Sequence, residues 1–164
     1  MKKNNVNFCG NVKKVSIRRN GCAGDAIMGT LYFDRQCICD TVENRLTALP
    51  EGDYRLVRHY CKQYARYMPV VVKAETGAWV QLETRCAQCE PREDVSLNTL
   101  IPCVCPMLKP GNGVNNRFDG SIILGTILVP GCLKHPLEAF GPLAERIRKA
   151  IKRKTVIYLK IVEL

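Results

Sequence analysis

The stretch that decides the fold, residues 28–42, reads M-G-T-L-Y-F-D-R-Q-C-I-C-D-T-V. Its two halves, residues 28–33 and 37–42, are rich in apolar, aromatic and β-branched residues, which favour strands. The polar residues between them, Asp34, Arg35 and Gln36, are typical of a turn. The stretch therefore predicts a β-hairpin in a β-rich domain.

Further strands lie on both sides of this hairpin. Residues 14–19 alternate Val15 and Ile17 with polar neighbours, as a half-buried strand does. The turn composition of residues 50–52 precedes another alternating strand, residues 54–60. Residues 155–162 have apolar side chains at both odd and even positions, that is, on both faces of a strand. This predicts a final strand that is buried on both faces.

One helix is predicted before that last strand. Apolar residues recur at helical spacing between Leu137 and Ile151. Pro136 suits a first helical turn, but Pro142 falls inside the pattern. We expect a short turn at Pro136 and then a helix from Pro142 to Lys152, with proline at its first position.

The chain has 164 residues, of which 46% are hydrophobic and 24% charged, values typical of one globular domain. No repeat or linker composition divides it. The predicted fold is a β-rich α+β domain: a mixed, mostly antiparallel, barrel-like sheet with one C-terminal helix and a final strand. A single domain would span residues 1–164, with residues 1–12 as a basic N-terminal extension.

The net charge is +10, and the basic residues are clustered. No acidic residue precedes Asp25. Two clusters hold the charge: Lys2, Lys3, Lys13, Lys14, Arg18 and Arg19, and then Arg146, Arg148, Lys149, Lys152, Arg153 and Lys154. Such clusters favour an acidic partner, whether an anionic protein surface, a cell-wall polymer or nucleic acid. A solvated basic face is the alternative.

The start of the chain indicates where it is made. Basic residues Lys2 and Lys3 are followed by polar residues and not by the apolar core of a signal peptide. No apolar run is long enough for a transmembrane segment. We therefore expect synthesis in the cytoplasm, where cysteines are kept reduced.

Four of the ten cysteines have a spacing that suits zinc. Cys86 and Cys89 form a C-x-x-C pair, and Cys103 and Cys105 follow after thirteen intervening residues. Four thiolates complete a tetrahedral structural site, so these residues are the candidate zinc ligands. The alternative is that all four cysteines lie in or near the core.

The order of motifs resembles a family of uncharacterised bacterial and phage proteins whose last motifs look like those of L,D-transpeptidases. The resemblance covers residues 15–163. The family motifs Gly-x-Leu, Thr-Leu-Glu, Ile-Pro-x-Gly-x-Tyr, His-x-Gly-Asn and Gly-Cys-Ile-x-x-Gly correspond here to residues 29–31, 41–43, 49–54, 109–112 and 120–125. The resemblance implies an L,D-transpeptidase-like domain, in a phage particle, mobile-element particle or other assembly.

Two departures bear on activity. The family histidine falls on Lys109 and the family cysteine on Ser121. A serine hydroxyl is less acidic than a thiol and needs a strong, well-placed base, which a desolvated lysine can be. We therefore expect a non-catalytic binding or structural module, with a peptidoglycan-modifying enzyme that uses Ser121 and Lys109 as the alternative.

A polar loop lies between the two departures. It contains the polar residues Asn112, Asn115, Arg117 and Asp119. A polar loop beside a family active site is a candidate binding site. Its alternative is an ordinary solvent-exposed loop. Nucleic-acid binding through the basic clusters is a third hypothesis, although along the chain the aromatic residues are few and are not interleaved with Lys and Arg.

Overall fold

The computed structural model describes residues 11–61, 64–77, 106–113 and 120–163, together with Val80. Within these ranges the chain forms nine strands and one helix. In chain order they are β1 (Val12–Ala23), β2 (Ala26–Phe33), β3 (Gln36–Asn44), β4 (Gly52–Cys61), β5 (Arg66–Lys73), β6 (Leu108–Pro110), β7 (Ile122–Val129), β8 (Cys132–Lys134), α1 (Pro136–Lys152) and β9 (Val156–Val162).

All nine strands form one sheet in the order β5-β4-β9-β1-β2-β3-β7-β6, with β8 attached to β7 beside this path. The β1–β9 and β6–β7 pairs are parallel, and the others are antiparallel. The two ends of the sheet meet, because Val70 of β5 bridges to Met107 and the Val71 N–H donates to the Pro106 carbonyl at 2.8 Å. This nearly closed mixed sheet, with its helix and final strand, confirms the predicted fold class.

The hairpin predicted from residues 28–42 is formed by β2 and β3. Phe33 pairs with Gln36 across the turn. Asp34 and Arg35 both have positive φ, 47° and 71°. Two successive left-handed residues are the signature of the turn that matches the twist of a two-residue hairpin. The local sequence therefore sets the register at the centre of the sheet.

The barrel interior is the main core. Alternating side chains of the strands enter it, and α1 adds one apolar face: Phe140, Leu143, Ile147 and Ala150. A smaller apolar cluster lies on the outer side of β3 and β7, where Val42 and Ile123 pack with Ala26 and Leu133. Among the described residues no helix has both the length and the apolar character that crossing a membrane requires.

The predicted start of the helix was wrong. Helix α1 is continuous from Pro136 to Lys152, with Pro142 inside it. Proline at this position removes one backbone hydrogen bond and presses on the carbonyl four residues before it, that of Glu138. Pro142 and Glu138 are both exposed, so the freed carbonyl lies on the solvent side, and the apolar face of the helix is kept.

The prediction that the last strand is buried on both faces was also wrong. In β9 the buried residues Ile157, Leu159 and Ile161 alternate with exposed Tyr158 and Lys160. A tyrosine counts as apolar in a pattern but has a polar end, so it tolerates water. One face of β9 therefore belongs to the core and the other to the surface.

Candidate functional site

Lys109 and Ser121, the two residues that the resemblance aligns with a catalytic histidine and cysteine, lie on β6 and directly before β7. Lys109 of β6 is in register with Ile123 of β7. Ser121 directly precedes β7, and its Oγ accepts a hydrogen bond from the Met107 N–H at 3.3 Å. Since side chains alternate along a strand, Ser121 and Ile123 share a face, which places Ser121 diagonally beside Lys109.

Both side chains are deeply buried, each at 5% exposure. The Ser121 hydroxyl also has a local structural role, because it binds the Met107 N–H at the place where the Ile122 N–H donates to the Met107 carbonyl at 2.9 Å. The pair of interactions joins the start of β7 to β6. Packing and hydrogen bonding therefore account for a small hydroxyl residue at this position.

The loop after β6 is held against β7 and β8 by its backbone. The Asn112 carbonyl accepts a hydrogen bond from the Leu133 N–H at 2.7 Å, while its side chain is exposed. A Cβ at Gly111 would lie 2.6 Å from the Ile123 side chain, and one at Gly113 would collide with the Gly131 carbonyl. Close backbone approach therefore requires these glycines. The other candidate loop residues, Asn115, Arg117 and Asp119, lie outside the described residues.

The candidate zinc ligands Cys86, Cys89, Cys103 and Cys105 also lie outside the described residues. In the described part, no group of three or more His, Cys, Asp or Glu side chains could hold a metal ion. The described cysteines are free thiols: Cys22, Cys37, Cys39, Cys61 and Cys132. Burial, with the nearby charge of Asp40, raises the pKa of Cys39 to about 12, so it stays a neutral thiol. The zinc site stays a prediction.

A buried ion pair that the sequence analysis missed lies inside the barrel. The Arg19 guanidinium binds both carboxylate oxygens of Glu43 at 2.9 Å and one oxygen of Glu163 at 2.8 Å. Burial alone would lower the pKa of Arg19, but the bonds and charges of Glu43 and Glu163 outweigh it and raise that pKa. The signal was present: Arg19 continues the phase of Val15 and Ile17, the buried face of the predicted strand.

The strongest candidate binding site is a cleft of about 600 Å³ between α1 and the β1 end of the barrel. Its basic residues come from distant parts of the chain: Lys13, Arg146, Lys149 and Arg153. The last three, two on α1 and Arg153 at its C-terminal cap, are spaced by three and four residues, so they lie on one side of the helix. The fold thus combines members of both sequence clusters into one basic cleft.

Among the lining residues that the structure describes, one is acidic, Asp34. Asp34 lies 2.7 Å from the Lys13 ammonium and accepts the Lys14 N–H at 3.0 Å. Burial by itself would raise the pKa of Asp34, but these hydrogen bonds outweigh it and lower the pKa. Asp34 therefore remains a carboxylate and neutralises one of the four cations.

Arg146 and Lys149 of α1 and Arg153, directly after it, remain as the positive charge of the cleft. The Arg146 guanidinium lies 5.8 Å from the centre of the Phe33 ring and donates to the Gln36 side chain at 3.0 Å, which fixes its position. The Lys149 ammonium lies 3.8 Å from Glu145, a carboxylate that Arg148 already binds at 2.6 Å. The cleft offers fixed and flexible cations together, which suits an anionic group.

No protein family model, no curated protein sequence and no solved structure matches this chain. Its function is therefore inferred from the chemistry of its own residues.

Proposed function

We propose that this chain is a non-catalytic binding module on an L,D-transpeptidase-like fold, which binds an acidic partner within a phage, mobile-element or other assembly. The observation that carries the proposal is the basic cleft, whose described lining combines Lys13, Arg146, Lys149 and Arg153 with one acid, Asp34. The ligand chemistry that suits the cleft is a phosphate or carboxylate group.

The burial of Ser121 and Lys109 supports a module without catalysis. A nucleophile must be reached by its substrate. Ser121 and Lys109 are each 5% exposed, and the Ser121 hydroxyl accepts a backbone hydrogen bond. Binding at the cleft asks nothing of these two residues, since none of the lining residues belongs to β6 or β7.

The proposal is tested with inorganic polyphosphate, which offers negative charge and little else. We expect the wild-type protein to bind it with an affinity that falls as salt rises. Replacing Arg146, Lys149 and Arg153 together by glutamine should reduce the slope of log affinity against log salt by roughly two to three, since each cation that meets a phosphate releases about one counterion. Fluorescence anisotropy with labelled polyphosphate measures both quantities.

A matched control removes the same charge elsewhere. Arg45, Arg66 and Lys134 are exposed and do not line the cleft. Their triple glutamine variant has the same net charge as the cleft variant and should keep wild-type affinity and slope. An equal reduction of affinity in both variants, or no binding by the wild type, would reject the cleft as the site.

A second candidate function is acyl transfer on peptidoglycan, with Ser121 as nucleophile and Lys109 as its base. The strand register favours it, because diagonal neighbours on one sheet face lie within reach of a long side chain such as lysine. The test compares muropeptide products of the wild type and Ser121→Ala. Products from the wild type alone would support it, and no products, or the same products from both, would reject it. A thermal melt shows whether the variant folds.

A further inference from the structure

The outer face of three neighbouring strands, β9, β1 and β2, combines tyrosines with basic residues that are distant in sequence. In the register of the sheet, Lys14 of β1 lies beside Tyr158 of β9. Two positions along, Ser16 pairs with Lys160 on one side and with Tyr32 of β2 on the other. Aromatic and basic side chains that are separate along the chain are therefore interleaved across the strands.

The two tyrosines are placed to present their rings. Tyr158 is 42% exposed. Tyr32 is half-buried, and the Arg18 guanidinium lies 5.1 Å from the centre of its ring. The guanidinium covers one face of this ring, and nucleic-acid bases stack on arginine planes as well as on aromatic rings.

The charge of this face is positive. Lys14, Arg18 and Lys160 are all exposed. Two acids lie at the edges of this face: Asp53 of β4 is exposed and directly opposite Lys160, and Asp40 of β3 is opposite Thr30 and accepts the Ile127 N–H. On β1, Lys14 lies beside Tyr158 and Arg18 lies beside Tyr32, so the positive charge is next to the two rings.

The sheet face is continuous with the basic cleft. Lys13 lines the cleft and Lys14, its neighbour in the chain, belongs to the sheet face. Val12 is paired with Val156, just after Thr155, so β1 and β9 both start in the cleft and run out along this face. Residues 12–18 of β1 span roughly 20 Å at the rise of a strand.

We propose that the cleft and this sheet face together bind single-stranded nucleic acid, with backbone phosphates in the cleft and along Lys14 and Arg18, and bases stacked on Tyr158 and on the Tyr32–Arg18 pair. This deepens the proposed function and rests on it, because it names the acidic partner. Single strands expose the flat faces of their bases, whereas a duplex hides them in its stack. Acidic proteins and charged cell-wall polymers have no bases to stack on the rings.

The test uses a labelled oligothymidylate of about twelve nucleotides, a length within the range that one small β-barrel domain binds. Tyr158→Ala should weaken its binding about 5- to 100-fold, since stacking contributes that much for each base. Tyr158→Phe, which keeps the ring, should retain most of the affinity. Tyr67→Ala is the matched control, because Tyr67 is 57% exposed but lies on β5, against Tyr60.

Polyphosphate, polyglutamate and a duplex of the same length separate the outcomes. The proposal expects Tyr158→Ala to leave polyphosphate binding unchanged, and the single strand to bind more tightly than duplex or polyglutamate. Oligothymidylate binding that Tyr158→Ala leaves unchanged, or equal affinity for duplex or polyglutamate, would overturn it. If polyphosphate binding still depends on the cleft cations in that case, the proposed function survives. If instead only the tyrosine variants have an effect, the cleft is not part of the site, and the proposed function and the joint site both fail.

Discussion

At the scale of single residues, the most consequential feature is Arg19, a charged side chain in the phase that points into the barrel. Its exposure is 5%, and that of its main partner, Glu43, is 1%. Taking both charges out of water is costly, and only close, bidentate pairing offsets that cost. Arg19 and Glu43 meet this requirement through two hydrogen bonds of 2.9 Å. The pair fixes β1 relative to β3, two strands away in the sheet.

We predict that Glu43→Gln lowers the free energy of unfolding by on the order of 3 kcal/mol, because it leaves the Arg19 charge buried without its main counter-charge. Chemical denaturation followed by circular dichroism measures the change. Glu145→Gln is the control, since Glu145 also pairs with an arginine but is exposed, and its unfolding midpoint should match the wild type. Equal midpoints for Glu43→Gln and the wild type would show that the buried pair does not stabilise the fold.

At the scale of elements, the sequence predicted what local pattern and turn chemistry control. The β2–β3 hairpin has its own turn, and β4 begins at Gly52, the last residue of the predicted turn. The errors lie where tertiary structure overrides the pattern. Helix α1 runs through Pro142 because packing of its apolar face outweighs the missing hydrogen bond, and β9 is one-sided because no described element covers Tyr158 and Lys160.

Gly29 links the elements around the buried pair. It lies on β2 between Arg19 of β1 and Thr41 of β3, and an added Cβ would lie 2.8 Å from both the Arg18 carbonyl oxygen and Thr41 Oγ1. We predict that Gly29→Ala costs about 1 to 3 kcal/mol of stability, as overpacking does. Thermal or denaturant unfolding would measure it.

The control for Gly29 comes from the same strand pair. A Cβ at Gly21 of β1 would meet only the flexible end of Met28, at an ordinary 3.6 Å. Gly21→Ala should therefore change stability by no more than about 0.5 kcal/mol, as exposed substitutions usually do. A similar destabilisation in both variants would mean that the cost comes from replacing glycine in a strand and not from crowding at Gly29.

At the scale of the whole molecule, the candidate sites depend on pairings that no local pattern indicates. Strands β1 and β9 are parallel neighbours although they lie at opposite ends of the chain, and this pair brings Lys14 beside Tyr158. The cleft likewise combines Lys13 with the last turns of α1. The sequence predicted two basic clusters and an acidic partner, but it could not predict that the clusters meet. Contacts between distant residues are set by barrel closure, not by local preference.

The barrel closes through a short junction. Among the described residues, β5 is joined to the segment just before β6 by the Val70–Met107 bridge and by the hydrogen bond from the Val71 N–H to the Pro106 carbonyl. By contrast, β1 pairs with β9 along all of residues 12–18. A short junction opens at lower free energy than a long one, so the Val71 amide should exchange with solvent at least about tenfold faster than that of Leu159. Native-state hydrogen exchange resolved by NMR measures both amides. Equal protection would mean that the barrel opens only by global unfolding, with the junction as stable as its centre.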